Sequence, residues 1–376
     1  MRASLADPDR RRLLLAGALG FLALGALQAM YGPAFPALVR RFDVGLDVVA
    51  QTVALHFAGS FVTIATAGPL LARLGYRLPL TVGAAGMAGG AALVATAPGL
   101  PWLLAGAALG GLGFGLLDVA LNLRVARAFA PNAAPALNVL NAMFGVGAVL
   151  GPAAVAWAGG GLREPMVALA VGAVGMGVLL ARSGEPGALR AGPGGPVPWA
   201  AAGGFVAMYF LYVASEVGVG SWEAVHLAPY VGERAAAVHA SLYWGALTIG
   251  RLLAAPLSAR VRPAGLVLGA TALAVAALAA AHVPAWAPFA YPVAGLAFAP
   301  IFPTGLAWLQ RVAHDRSEPV ASAVLAAATL GPVVTAGPIG LAVEAFGTAL
   351  VPTLLVALTA ALLATVVALW AGTRRA

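Results

Sequence analysis

Twelve apolar runs, each long enough to cross a bilayer as a helix, follow one another with only short polar breaks. They lie at about 13–38, 47–72, 78–97, 101–128, 134–158, 164–182, 199–225, 235–260, 263–282, 285–312, 319–344 and 348–371. A helix needs about 20 predominantly apolar residues to span the hydrocarbon. No water is available there to satisfy backbone groups, so only helices and closed barrels can span it. A barrel would show alternating polarity over segments of about ten residues, and the run TALAVAALAAA from Thr271 to Ala281 shows none. The chain is therefore expected to be an all-α integral membrane protein with 12 transmembrane helices. Of its 376 residues, 61% are hydrophobic and 9% charged, against roughly 25% charged in a soluble domain. That composition excludes a water-soluble enzyme.

The net charge of +8 would suit a nucleic-acid partner, but its distribution does not. All 21 basic residues are Arg, set mostly in pairs between apolar runs rather than along one stripe. With the N-terminus inside, sixteen of them fall in cytoplasmic segments. Four fall outside (Arg40, Arg41, Arg163 and Arg234), and Arg251 lies within a run. That bias places both termini in the cytoplasm. The Arg-for-Lys, Ala-rich usage reads as a GC-rich bacterial genome, and hence a bacterial inner membrane. The run after Arg10, Arg11 and Arg12 outlasts a signal-peptide core and reads as an uncleaved first helix. Zero Cys excludes thiolate metal sites, thiol catalysis and disulfides. Without Lys there is no nucleotide-binding P-loop, and no hydrolase or zinc-protease motif is present. The expectation is a non-enzyme with no cofactor, no metal and no nucleic-acid partner, working as a monomer.

The chain also repeats itself. Pro69-Leu70-Leu71-Ala72-Arg73 recurs as Pro256-Leu257-Ser258-Ala259-Arg260, and Arg124-Val125-Ala126 as Arg311-Val312-Ala313, both at an offset of 187. Gly111-Leu112 with Phe114 recurs as Gly295-Leu296 with Phe298 at 184, and Leu150-Gly151-Pro152 as Leu330-Gly331-Pro332 at 180. Four matches in order argue for two homologous six-helix halves, 1–182 and 199–376, joined by a Gly/Pro-rich linker at 183–198. Parallel six-helix repeats describe an architecture whose substrate site lies near the midplane.

The loop Gly68-Pro69-Leu70-Leu71-Ala72-Arg73-Leu74-Gly75-Tyr76-Arg77 resembles the major facilitator signature G-x-L-x-D-R-x-G-R-R, with Ala72 at the acidic position. The resemblance implies two pseudo-symmetric six-helix bundles and secondary transport by alternating access. Three stretches resemble the fucose–proton symporter branch: Gly111 to Asn122, Leu137 to Pro152, and Phe210 to Trp222. Fucose permeases carry a helix 1 carboxylate just after an amide; here Gln28-Ala29 stands at that place.

Charged groups inside a span are costly and usually mark a pathway, a relay or a pair. Asp118, Glu216 and Arg251 are the intramembrane charges, with His56 a titratable neutral; Glu223 and Glu344 are expected near the outer helix ends, in solvent. Asp118 and Asn122 share one helix face, and Asn138 and Asn141 share another. By the resemblance, Asp118 matches the branch's helix 4 acid and Asn141 a sugar-contacting amide. Interhelical hydrogen bonding is the alternative role for each. Arg124 is expected near the interface. Tyr209, Tyr212 and Glu216 put two phenols and a carboxylate on one face, a set suited to sugar hydroxyls, with Trp222 as an aromatic platform. Arg251 should have an acid or several carbonyls as partners, and its open roles are a structural latch or direct binding of an anionic substrate. His56 suits either core packing or a pathway.

The expected coupling residues are Asp118 and Glu216, and the expected substrate residues are Gln28, Asn122, Asn138, Asn141, Tyr212, Glu216 and Trp222. The expected function is proton-coupled uptake of a sugar or similar small polar solute. The alternatives are a drug or metabolite–proton exporter of the same fold, or a non-coupled facilitator.

Overall fold

A computed structural model describes residues 7–182, 199–258, 260–313 and 317–373. The linker expected at 183–198 lies outside the described residues, as do Arg190, Asp315 and Arg316. The first half contributes α1 (Pro8–Phe42), α2 (Leu46–Leu74), α3 (Arg77–Thr96), α4 (Leu100–Ala128), α5 (Ala134–Trp157) and α6 (Arg163–Ala181). The second contributes α7 (Trp199–Val231), α8 (Glu233–Ser258), α9 (Pro263–Ala280), α10 (Ala287–Phe298), α11 (Ile301–Ala313), α12 (Ser317–Phe346) and α13 (Val351–Thr373). Among the described residues there is no strand. The fold is all-α, as expected.

Several helices outrun their apolar runs, because polar ends need not stop a helix once it leaves the hydrocarbon. α1 begins at Pro8, where the missing N–H costs nothing, behind Asp7, whose side chain accepts the N–H of Asp9 at 2.9 Å. It ends at Asp43 in a left-handed conformation (φ 52°) with its N–H on the Val39 carbonyl. The tenth expected span is broken. α10 stops at Phe298 and α11 starts at Ile301, since Pro300 and Pro303 remove two backbone donors within four residues. Taken together, 287–312 still make one membrane-crossing segment. Eleven segments among the described residues are long and apolar enough to cross a membrane. α8, the eighth expected span, falls outside that set; it carries Glu233, Arg234 and Arg251.

The chain forms two compact units, one from α1 to α6 and one from α7 to α13; residues 44–50, at the start of α2, cluster with the second. In the first unit α1 packs on α5 and α3 on α4 and α6; in the second α7 packs on α12 and α8 on α10. The sequence repeat is also a packing repeat. A Cβ on Gly151 would come within 2.7 Å of the Ala26 carbonyl oxygen of α1, and a Cβ on Gly331 would meet the α7 backbone at Phe210 and Ala214. Gly111 lies against the His56 backbone of α2, and its counterpart Gly295 against the Tyr243 backbone of α8. His56 and Tyr243 are themselves 187 residues apart, the offset of the repeat. Glycine at these crossings lets two backbones approach where lipid supplies no hydrophobic drive to join them.

Candidate functional site

Helix α7 carries a polar face through an apolar unit. Tyr209, Tyr212 and Glu216 recur at three- and four-residue spacing and are all buried. Glu216 Oε1 accepts a hydrogen bond from Arg251 Nη2 of α8 at 3.2 Å, and the Arg251 side chain keeps 30% of its exposure. The acid that Arg251 requires is therefore Glu216. The surroundings hold this pair in place. The Tyr243 hydroxyl donates to the Glu216 backbone carbonyl at 2.8 Å, fixing α8 against α7. The Tyr209 hydroxyl donates to the Phe302 carbonyl at 2.6 Å, next to the break between α10 and α11. Tyr212, beside Glu216 and Arg251, packs its ring against Phe298 and Phe302 at 6.1 Å each. Trp222, nearly two turns beyond Glu216 on α7, is also buried.

The expectation that Glu223 is solvated is overturned. Its residue exposure is 0%, and neither carboxyl oxygen has a hydrogen-bond partner among the described residues. The physical reason is helix length: α7 continues to Val231 rather than ending near 225, so Glu223 sits two turns inside its end. Sequence reasoning also passed over His226 and Tyr291. His226 is 2% exposed, and its Nδ1 lies 2.8 Å from the Tyr291 hydroxyl of α10. The available signal was spacing: Glu223 follows Glu216 by seven residues and precedes His226 by three, all on one side of α7. Glu344 is exposed and accepts the Leu46 N–H at 2.8 Å.

In the first unit Asp118 is half-buried on α4. Asn122 Nδ2 donates to Asp118 Oδ1 at 3.1 Å and to the Asp118 carbonyl at 3.0 Å. Asn138 and Asn141 are exposed on α5, and Asn141 Nδ2 donates to the Leu137 carbonyl at 3.0 Å. Gln28 is half-buried on α1, which packs against both α4 and α5. Arg124, four residues before the end of α4, is 1% exposed and among the largest fully buried side chains. Close by, the Arg127 guanidinium stands 5.7 Å from the centre of the Tyr76 ring. His56 is fully buried among Tyr31, Phe57 and Phe114, with ring centroids 5.0–5.6 Å away. Glu216 stands 187 residues after Ala29, the repeat offset, so the second half carries an acid where the first carries Ala.

Solved transporters share this architecture. The nucleoside transporter NupG superposes with a TM-score of 0.77 at 11% identity, over 97% of this chain and 99% of its own. A D-xylose–proton symporter gives 0.77 at 13%, over 96% and 97%. A bacterial homolog to the human lysosomal transporter Spinster, inward-facing and occupied, gives 0.74 at 16%, over 98% and 97%. At these identities the likeness is one of fold. No curated protein matches the sequence. The family model for the Major Facilitator Superfamily matches residues 17–215, from α1 into α7 and more than half of the chain. The chain belongs to the major facilitator superfamily.

Proposed function

We propose that this transporter takes up a sugar or a similar small polar solute together with protons, by alternating access between halves 1–182 and 199–376. The observation that carries the reading is the Glu216–Arg251 pair, set beside Tyr212 within the spanning part of α7 and α8. An ion pair with a buried carboxylate is a costly choice where inert packing would do. A carboxylate, a guanidinium and phenols are the groups that recognise hydroxyl-rich solutes. Gln28, Asn122, Asn138 and Asn141 supply amides from the first half, and Tyr212, Glu216 and Trp222 belong to the second-half set. Asp118, held by Asn122, is the first carboxyl assigned to proton coupling, with Glu216 the other. The relatives of this fold include proteins described as a D-xylose–proton symporter and a nucleoside transporter, which favours polar solutes over lipophilic ones. On this reading, which takes its orientation from the arginine bias, the transporter sits in a bacterial inner membrane with both termini in the cytoplasm and acts as a monomer.

One observation favours a second reading. Gln28-Ala29 leaves helix 1 without the carboxylate of the resembled branch, and a facilitator that only equilibrates its solute needs none. Uptake into proteoliposomes, across radiolabelled hexoses with and without an inward proton gradient, separates the two. Accumulation above the external concentration only under the gradient supports coupling. Equilibration alone supports the facilitator, and no hexose uptake in either condition rejects the sugar assignment.

A further inference from the structure

Within the second unit one ionisable group is buried more deeply than the mechanism above requires. Glu223 is 0% exposed on α7, and both its oxygens lack a partner among the described residues. The guanidinium nearest along its own face, Arg251, is two turns away at the level of Glu216 and is taken by it. An isolated carboxylate in an apolar interior carries a penalty that no packing contact offsets, and the neutral acid carries a much smaller one. The groups facing it are neutral or spoken for. From α8 comes Tyr243, bonded to the Glu216 carbonyl, and from α10 comes Tyr291, bonded to His226; His239 lies further along α8 and is half-buried. The Trp244 ring of α8 lies across Gly220, one turn before Glu223, and its buried indole N–H has no acceptor among the described residues. Helix α13 has no titratable side chain, Arg311 of α11 is exposed, and Glu344 of α12 is exposed and engaged with Leu46.

We infer that Glu223 is a proton-holding residue of the transport cycle, protonated in this conformation and ionised only when α7 and its neighbours rearrange. The inference rests on the proton-coupled reading above and adds a second-half carboxyl to it, seven residues beyond Glu216 on the same side of α7. The proton that Glu223 releases leaves as a transported ion and is replaced from the opposite side, so the carboxyl returns unchanged at the end of a cycle. The His226–Tyr291 pair stands between Glu223 and the end of α7, which gives the proton a hydrogen-bonded neighbour on that side.

The test uses the reconstituted, full-length transporter and two readouts. Difference infrared spectroscopy of the wild type should show the carbonyl-stretch band of a protonated buried carboxyl at neutral pH. Glu223→Gln should remove that band, and Glu216→Gln should retain it. In proteoliposomes Glu223→Gln, which resembles the neutral acid in shape, should keep solute counterflow and lose gradient-driven accumulation. A band unchanged in Glu223→Gln would overturn the inference, as would wild-type accumulation by that variant. If the wild type never accumulates any solute under a proton gradient, the coupled reading fails. The inference then fails with it, whereas coupled accumulation by wild type and Glu223→Gln alike overturns the inference alone. Should Glu223→Gln unfold, Glu223→Asp must shift the band while folding normally, and an unshifted band overturns the assignment.

Discussion

Glu216 and Arg251 are 35 residues apart in sequence and 3.2 Å apart in space, one on α7 and one on α8. The pair solves a problem that each helix has alone, because neither an unpaired carboxylate nor an unpaired guanidinium is tolerable at that depth. It also joins two helices whose other link at this level is the hydrogen bond from Tyr243.

Arg251→Leu strands the Glu216 carboxylate and should destabilise the protein by about 3 kcal/mol, the lower end for breaking a buried pair, since Arg251 keeps 30% of its exposure. The double variant Glu216→Gln with Arg251→Leu should recover most of that loss. Thermal unfolding in detergent reads both. If the single variant is as stable as wild type, the pair is not a structural lock.

Asp118→Asn keeps the shape of the protonated side chain and can still be held by the Asn122 amide, which now lies 3.1 Å from Oδ1. Solute exchange should persist while accumulation against a gradient disappears. A variant that still concentrates solute removes Asp118 from coupling, and one that loses binding makes it a solute ligand or a structural partner.

Asn141→Ala removes an exposed amide of α5 that holds only the Leu137 carbonyl of its own helix. Its thermal stability should be nearly unchanged, and solute affinity should fall by about 1–3 kcal/mol, the range for an unsatisfied polar group. A melting curve checks the first part and titration calorimetry on the purified protein the second, and an unaltered affinity takes Asn141 out of the site.

Gly147→Ala should be destabilising by about 1–3 kcal/mol, because its Cβ would collide with the Leu22 carbonyl of α1. Gly175→Ala on α6, where a Cβ meets nothing within 4 Å, should be neutral or gain up to about 1 kcal/mol from helix propensity. Melting temperatures of the two variants measured side by side would expose an error if their order were reversed.

A protein without native Cys suits accessibility mapping. Tyr230→Cys, at the end of α7, should react with an impermeant thiol reagent from outside only, and Arg262→Cys, at the start of α9, from the cytoplasm only. Both positions are exposed. Reversed labelling would overturn the orientation drawn from the arginines.

The class of fold and the repeat were legible in the chain itself. Hydropathy is a one-dimensional property: a run of about 20 apolar residues must cross lipid wherever its neighbours lie. Gly111 and Gly151 announced their counterparts Gly295 and Gly331 because close crossings demand the same small residue in both halves. Asp118 with Asn122 was equally readable, since four-residue spacing on one helix fixes their contact. Partnerships between helices were not. That Arg251 needed an acid followed from its depth, but that the acid is Glu216 depends on how α7 and α8 pack. Glu223 was misread as solvated because its burial turns on where α7 ends and on what α8 and α10 lay over it. Sequence alone determined which segments enter the membrane, through transfer free energy summed along the chain. Only the tertiary structure decided which charges are paired and which are buried alone, because those energies depend on neighbours that are distant in sequence and adjacent in space.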